Sequence, residues 1–307
     1  MHADRPATVR PGPRPRRGAL ALHGRRMRGA ALLNDRLERL TGRRLLRPVA
    51  PPAPVPKPVV RPPQHPADRL VPSPVFLLSS VRSGSTLLRA ILDTHSQVHA
   101  PIELHVRRIE VALTTPPLEQ AMTALDLTRS DLEHLLWDRL LHRQLQASGK
   151  RILVEKTPSN VFVADRLATC WPAARFVHLL RHPLSAARSW HEGDPARRPM
   201  AEAVRHVAWY ARAVERERVK HPGLTVRYED LVADPATASA HVCDFLGVPW
   251  EAAMLDYGGG REAEFVKGIG DWTEKIRSGR VQAGRPLPDR SEVPAELLPV
   301  AKAWGYA

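Results

Sequence analysis

From Ser73 onward, short apolar runs alternate with segments of helical periodicity. VFLL at 75–78 is rich enough in β-formers to predict a buried strand. Arg82, Ser83 and Gly84 follow as a small polar turn. Ser85 is placed to cap a helix through Thr86, Leu87, Leu88, Ala90, Ile91 and Leu92. After HAPIELHV at 99–106, helical segments are expected from about 117 to 148. The pattern predicts a second strand at 151–158, a helix at about 160–169, a third strand at 174–180 and a helix at 184–191. A long helix over 201–220 places Val204, Val207, Ala208, Ala211 and Val214 on one face. A fourth strand at 224–231 and a helix at 238–246 complete the series. Strands alternating with helices predict an α/β fold: a parallel sheet flanked by helices. Ligands in such sheets bind beyond the carboxyl ends of the strands. Arg82, Lys156 and Arg181 each lie just past such an end, so three segments deliver cations to one crevice. A strand feeding a Gly-containing loop into a helix also aims backbone N–H groups at one point, which attracts phosphate or sulfate.

Before Ser73 the texture changes. Residues 1–28 are rich in Arg, Pro and Gly and are expected to be disordered. Residues 30–47 place Leu33, Leu37 and Leu40 at helical spacing, predicting a short basic amphipathic helix. Residues 48–74 hold 11 prolines, an extended linker. The expected organisation is thus an N-terminal extension at 1–71 and a catalytic domain at 72–307. The net charge of +14 follows the same division: residues 1–70 carry 16 Lys and Arg against 4 Asp and Glu, the remainder 30 against 28. A weak contact of the arm with a polyanion or an anionic membrane is expected from that charge. A nucleic-acid- or anionic-lipid-binding protein acting through the arm is the reading this leaves open, although no aromatic residues stand between its arginines to stack on bases. Cys170 and Cys243 are too few for a disulfide framework and read as core thiols in a reducing compartment. No apolar run approaches the ~20 residues of a membrane span, and GALAL at 18–22 is shorter than a signal-peptide core. A cytoplasmic location is expected. No pattern in the chain sets an oligomeric state.

The loop at 82–86 does not suit a nucleoside triphosphate. That chemistry needs GxxxxGK[ST], and here the upstream Gly and the Lys are both missing. No acidic strand end is suited to magnesium, so a kinase-like phosphotransferase is the disfavoured alternative and no metal is expected.

At these residues the chain resembles the sulfotransferases that use 3′-phosphoadenosine 5′-phosphosulfate (PAPS), in their bacterial, carbohydrate-type and polyketide-type branch. The resemblance covers residues 75–307. RSGSTLL at 82–88 resembles the family's 5′-phosphosulfate loop, [KR]xGTT, with Ser85 at the first Thr position. FVHLLRHPLSAARSW at 176–190 is similar to its 3′-phosphate segment: Arg181 and Ser189 keep the spacing of eight, and His182 stands where Asp is frequent. EKTPSN at 155–160 is similar to the EKTP element, and VRYEDLVADP at 226–235 with FLGVPW at 245–250 to the downstream strand and helix. KGIGDW at 267–272 and Ser278, Gly279 and Arg280 sit where the family closes a loop over the nucleotide.

The resemblance implies a P-loop-like sulfotransferase fold, PAPS as donor, and a small-molecule or glycan hydroxyl as acceptor. It assigns donor binding to Arg82, Ser83, Gly84, Ser85, Thr86, Arg181, Ser189, Ser278, Gly279 and Arg280. Charge on the departing phosphate oxygen would be met by loop N–H groups, Arg82 and Lys156. Small-molecule sulfotransferases use a His after the second strand, where this chain has KTPSN. PIELH at 101–105 instead resembles a Glu-x-His element in which the Glu is the base. Glu103 is therefore the expected general base, His105 its orienting partner or an acceptor contact, and Glu155 the alternative base. Leu113, Leu118, Met122, Leu125, Leu135, Leu136 and Trp137 are expected to line an acceptor pocket for a partly apolar alcohol.

Overall fold

The computed structural model describes residues 60–258, 276 and 278–307. The expected helix at 30–47 and most of the basic extension lie outside the described residues, as does KGIGDW. Five parallel strands form one sheet in the order β2-β3-β1-β4-β5. These are β1 (Val75–Ser79), β2 (Val98–His99), β3 (Ile152–Glu155), β4 (Arg175–Leu180) and β5 (Leu224–Arg227). All five residues of β1 are buried, as expected of a central strand covered on both faces.

Val75 and Leu77 pack with Leu88, Ile91 and Leu92 of α1 (Ser85–Thr94). Phe76 and Leu78 point the other way. They meet Trp137 and Leu141 of α3 (Arg129–Ser148), Leu167 of α4 (Ala164–Cys170), and Trp171. A third apolar cluster joins α5 (Pro183–Glu192) to α6 (Met200–Lys220) through Leu184, Val204, Val207 and Val214. The face expected of the long helix at 201–220 is the face α6 buries. Cys170 and Cys243 are buried free thiols, and burial pushes both up to about 11. No helix among the described residues is long and apolar enough to cross a membrane.

Four local readings change. The helical stretch at 117–148 is two helices, α2 (Pro116–Ala124) and α3, because Thr128 and Asp131 form a reciprocal capping box that starts α3 afresh. The helix expected from about 160 begins later: Pro158–Val163 is a 3-10 turn and α4 follows it. The fourth strand stops at Arg227, and Tyr228–Ala233 is the short helix α7, with Glu229 and Asp230 in the first turn, where the helix dipole favours acids. The two-residue strand β2 has too little apolar pattern to be read from sequence. The end of the proline-rich linker is also fixed to the body. Asp138 of α3 accepts hydrogen bonds from the Leu70 and Val71 amides (2.7 and 3.2 Å) and from Trp171 Nε1 at 3.1 Å.

Candidate active site

Because the sheet is parallel, β1, β3 and β4 all end at the same edge. Beyond β1 the chain turns sharply. Arg82 has φ +58° and Gly84 φ +83°. Only glycine takes that second value without strain, and a Cβ on Gly84 would overlap the Tyr228 ring. Gly84, not Ser85, is the N-cap of α1, and no side chain caps this helix. Ser85 is the first helical residue, so its hydroxyl does not occupy the place where an anion would meet the helix N-terminus.

The loop is locked to β4 and α5. Arg181 Nη1 donates to the Arg82 carbonyl at 2.7 Å, and its guanidinium lies 4.2 Å from the Tyr228 ring centroid. Arg82 Nε in turn donates to Ser189 Oγ at 3.2 Å. The two phosphate-site motifs are therefore one interlocked cluster. Ser189 is engaged by Arg82, while Arg181 holds the backbone of the loop. Burial lowers the pKa of Arg181, and the charges of Arg82 and Arg285 add to that effect. Arg285, paired with Glu192 at 2.7 Å, thus brings a further cation near the cluster. Nothing around RPLPDR marks it in sequence.

The second half of the site is built around Lys156, which follows β3 and is only 1% exposed. Its Nζ lies 2.5 Å from Glu103 Oε1 and donates to Thr86 Oγ1 at 3.4 Å. Burial lowers the pKa of Lys156, and the adjacent Glu103 carboxylate opposes that shift. The other Glu103 oxygen lies 3.3 Å from His105 Nε2. His105 has φ +49°, and its amide donates to Thr157 Oγ1 at 3.2 Å. Among the described residues, the non-glycine residues with positive φ are Arg82, His105 and Asp126. Two of the three flank this site, a distribution typical of strain retained for function.

A model of the sulfotransferase family matches residues 74–252. The chain belongs to the sulfotransferase family. It is 28% identical over 215 residues to an uncharacterized protein of Aquifex aeolicus, covering 63% of this chain and 27% of that one. It is 31% identical over 127 residues to the nodulation protein NoeE of Sinorhizobium fredii, covering 37% and 30%. The chain thus spans less than a third of these curated relatives. Two solved structures share the fold. The sulfotransferase domain from the curacin biosynthetic pathway has a TM-score of 0.54 at 23% identity, covering 78% of this chain and 99% of that one. The sulfotransferase domain from the Synechococcus PCC 7002 olefin synthase has a TM-score of 0.57 at 24% identity, covering 81% and 99%. The P-loop-like sulfotransferase fold expected from the motifs is the fold observed.

Ser278, Gly279 and Arg280 form a turn held by Tyr257, whose amide donates to the Gly279 carbonyl and whose hydroxyl donates to the Arg280 carbonyl (3.0 and 2.9 Å). Of the expected apolar lining at 113–137, Leu118, Leu125 and Leu136 are exposed, and α2 buries none of its residues. Trp137 is core instead, donating to the Ile109 carbonyl at 3.0 Å beneath the Arg166 guanidinium. The aromatic side chain that senses Glu103 is Tyr210 of α6. Burial raises its pKa, Arg107 lowers it, and Glu103 raises it further.

Glu155 is fully buried. It accepts from Thr157 Oγ1 at 2.6 Å, from Asn160 Nδ2, and from the Leu104 amide at 3.4 Å. These bonds tie the Glu103 loop to the 3-10 turn, so Glu155 acts as a support for the loop. Burial pushes its carboxyl up to about 7 from 4.5. A raised carboxyl pKa means that the folded state binds the proton more tightly than the unfolded chain. The associated stability is fully present below about pH 4.5 and is lost as pH rises through about 7. Glu155→Gln is expected to flatten the stability–pH curve across that window, as measured by urea unfolding at stepped pH. An unchanged slope would contradict the assignment.

Proposed function

We propose that the protein is a sulfotransferase that moves the sulfuryl group of PAPS to a hydroxyl of a small-molecule or glycan acceptor, with Glu103 as general base. The observation that carries this reading is the contact of Lys156 with both Glu103 and Thr86. One ammonium group thereby links the proton acceptor to the anion-binding loop.

In this reading the uncapped N-terminus of α1 and the loop at 82–86 hold the 5′-phosphosulfate, and Arg82, Arg181 and Ser189 meet the 3′-phosphate. Glu103 takes the proton of the acceptor hydroxyl as its oxygen bonds to sulfur. The bond from sulfur to the 5′-phosphate oxygen breaks, and its electron pair stays on that oxygen. Lys156 and the loop amides stabilise the charge that develops there. Positioning and charge neutralisation supply most of the rate, as in phosphoryl transfer. No step requires a metal.

The test is transfer of sulfur label from PAPS to acceptor pools in the presence of a chelator. Label in an acceptor hydroxyl is expected. Transfer of phosphate from ATP, with none of sulfur from PAPS, would support the kinase-like alternative instead.

A further inference from the structure

Glu217 and His221 stand one helical turn apart at the end of α6, with His221 as its C-cap. Asp165, in the first turn of α4, meets them there. Asp165 Oδ1 lies 2.8 Å from His221 Nε2, and Glu217 Oε2 lies 3.6 Å from the same nitrogen. One coordinating atom from each of the three residues falls within 4.8 Å of the others. Glu217 is only 3% exposed. Its Oε1 accepts from Arg216 Nε at 2.7 Å, but Oε2 accepts no hydrogen bond among the described residues. A buried carboxylate oxygen without a donor is costly, and this one is turned toward His221. The imidazole is itself held in place. Its ring stacks on Phe176 with centroids 5.2 Å apart, and the His221 carbonyl accepts from His178 Nε2 at 2.9 Å.

We propose that Asp165, Glu217 and His221 form a binding site for a divalent first-row transition ion such as Zn²⁺. One imidazole nitrogen with two carboxylate oxygens suits Zn²⁺ and its neighbours, whereas Mg²⁺ and Ca²⁺ take oxygen ligands. Bonds of about 2.0–2.1 Å at the tetrahedral angle separate neighbouring ligand atoms by about 3.3 Å. The observed 2.8 and 3.6 Å bracket that spacing. Three protein ligands leave a fourth position to water. The ion gives Glu217 Oε2 a partner and ties α4 to the end of α6. One group competes for the place: Lys220 Nζ lies 2.6 Å from Asp165 Oδ1. The lysine side chain is 56% exposed, so its ammonium can turn out to water as the ion enters. His221 precedes the amino end of β5, whereas the donor loop follows the carboxyl end of β1. The site is therefore separate from the transfer chemistry and independent of the sulfotransferase reading.

The test titrates Zn²⁺ by calorimetry into the full-length protein after chelator treatment, and follows thermal melts over the same Zn²⁺ series. The parent protein is expected to bind the ion, and its Tm to climb with Zn²⁺ concentration. Glu217→Gln keeps the shape and the contact with Arg216. It should bind Zn²⁺ at least about tenfold more weakly, the lower end of what even an outer-shell change costs. Asp165→Asn should weaken binding as much, and its exposed position leaves the core unchanged. Lys220→Ala should tighten binding about two- to fivefold, the worth of the exposed ion pair it removes. Affinity for 3′-phosphoadenosine 5′-phosphate (PAP) should be the same with and without Zn²⁺. Equal Zn²⁺ binding by the parent, Glu217→Gln and Asp165→Asn would overturn the site, because other groups would then hold the ion. No Zn²⁺ binding by the parent, or weaker binding by Lys220→Ala, would overturn it as well. PAP binding that depends on Zn²⁺ would overturn a site separate from the donor loop. Absence of PAP binding in every sample would overturn the donor reading and leave this one standing.

Discussion

Glu103→Gln is expected to lower kcat by about 10²- to 10⁴-fold, the range contributed by a positioned general base. The affinity for PAP should stay close to that of the parent protein. The expectation depends on where Glu103 sits. Its side chain is 10% exposed, with one oxygen on Lys156 Nζ and the other facing His105. Glutamine keeps the shape and can still accept from Lys156, but it cannot take a proton. The variant also removes the negative charge that opposes the burial of Lys156, so the lysine pKa should fall further below its ordinary value. Steady-state sulfur transfer and PAP titration on one preparation separate the two effects. Transfer undiminished in Glu103→Gln would remove Glu103 from the mechanism.

Lys156→Met should cost a further distinct function. A single preorganised group that meets charge in the transition state is worth about 10²- to 10³-fold in kcat, and Lys156 is the buried cation between base and loop. Methionine fills the volume of the lysine stem, and apolar replacement of one member of a buried pair leaves the other uncompensated. Glu103 would then stand beside the loop without its ion pair, so some loss of stability accompanies the loss of rate. Thermal melts measure the first and single-turnover transfer at saturating PAPS the second. The double variant with Glu103→Gln decides whether the two residues act as a unit. Coupled residues give a combined loss well short of the product of the single losses. A fully multiplicative result would contradict the pairing.

The loop and cations of the proposed donor half could be picked out in sequence because they are local. A strand, a turn and a helix N-terminus are adjacent in the chain, and both halves of the proposed phosphate cluster obey that rule. What sequence could not supply is the way they interlock. Spacing put Arg181 and Ser189 on one phosphate, and the fold adds Arg82 between them, its Nε donating to Ser189 and its carbonyl accepting from Arg181. Such choices depend on the left-handed turn at Arg82 and Gly84, which redirects the side chain. The helix cap failed for the same reason, since Gly84 in that conformation already fills the cap position.

Of the residues expected to line the acceptor pocket, Trp137 is core, 1% exposed, while Leu118, Leu125 and Leu136 are exposed. Leu118 and Met122 stand four apart in α2, the spacing of one helix face, yet α2 buries none of its residues. The ring contacts of Phe162, in a 3-10 turn, with Trp209 and Tyr210 of α6 join positions that no periodicity connects. Arg285 escaped notice because it serves no element and no motif. The fold itself was readable almost throughout. Its five parallel strands were misread at β2, which is two residues long, at the end of β3, which stops at Glu155 short of Pro158, and at the end of β5, where the acidic first turn of α7 takes over.

The central claim is that the loop at 82–86, fastened by Arg181, grips the 5′ end of a nucleotide whose 3′-phosphate is held beside it. Titration calorimetry of PAP, ADP and ATP, each with and without magnesium, tests this most directly. The account predicts that PAP binds without magnesium, that ADP, lacking the 3′-phosphate, binds at least tenfold more weakly, and that Arg181→Ala abolishes the difference. Magnesium-dependent binding of ATP with no preference for PAP would contradict it.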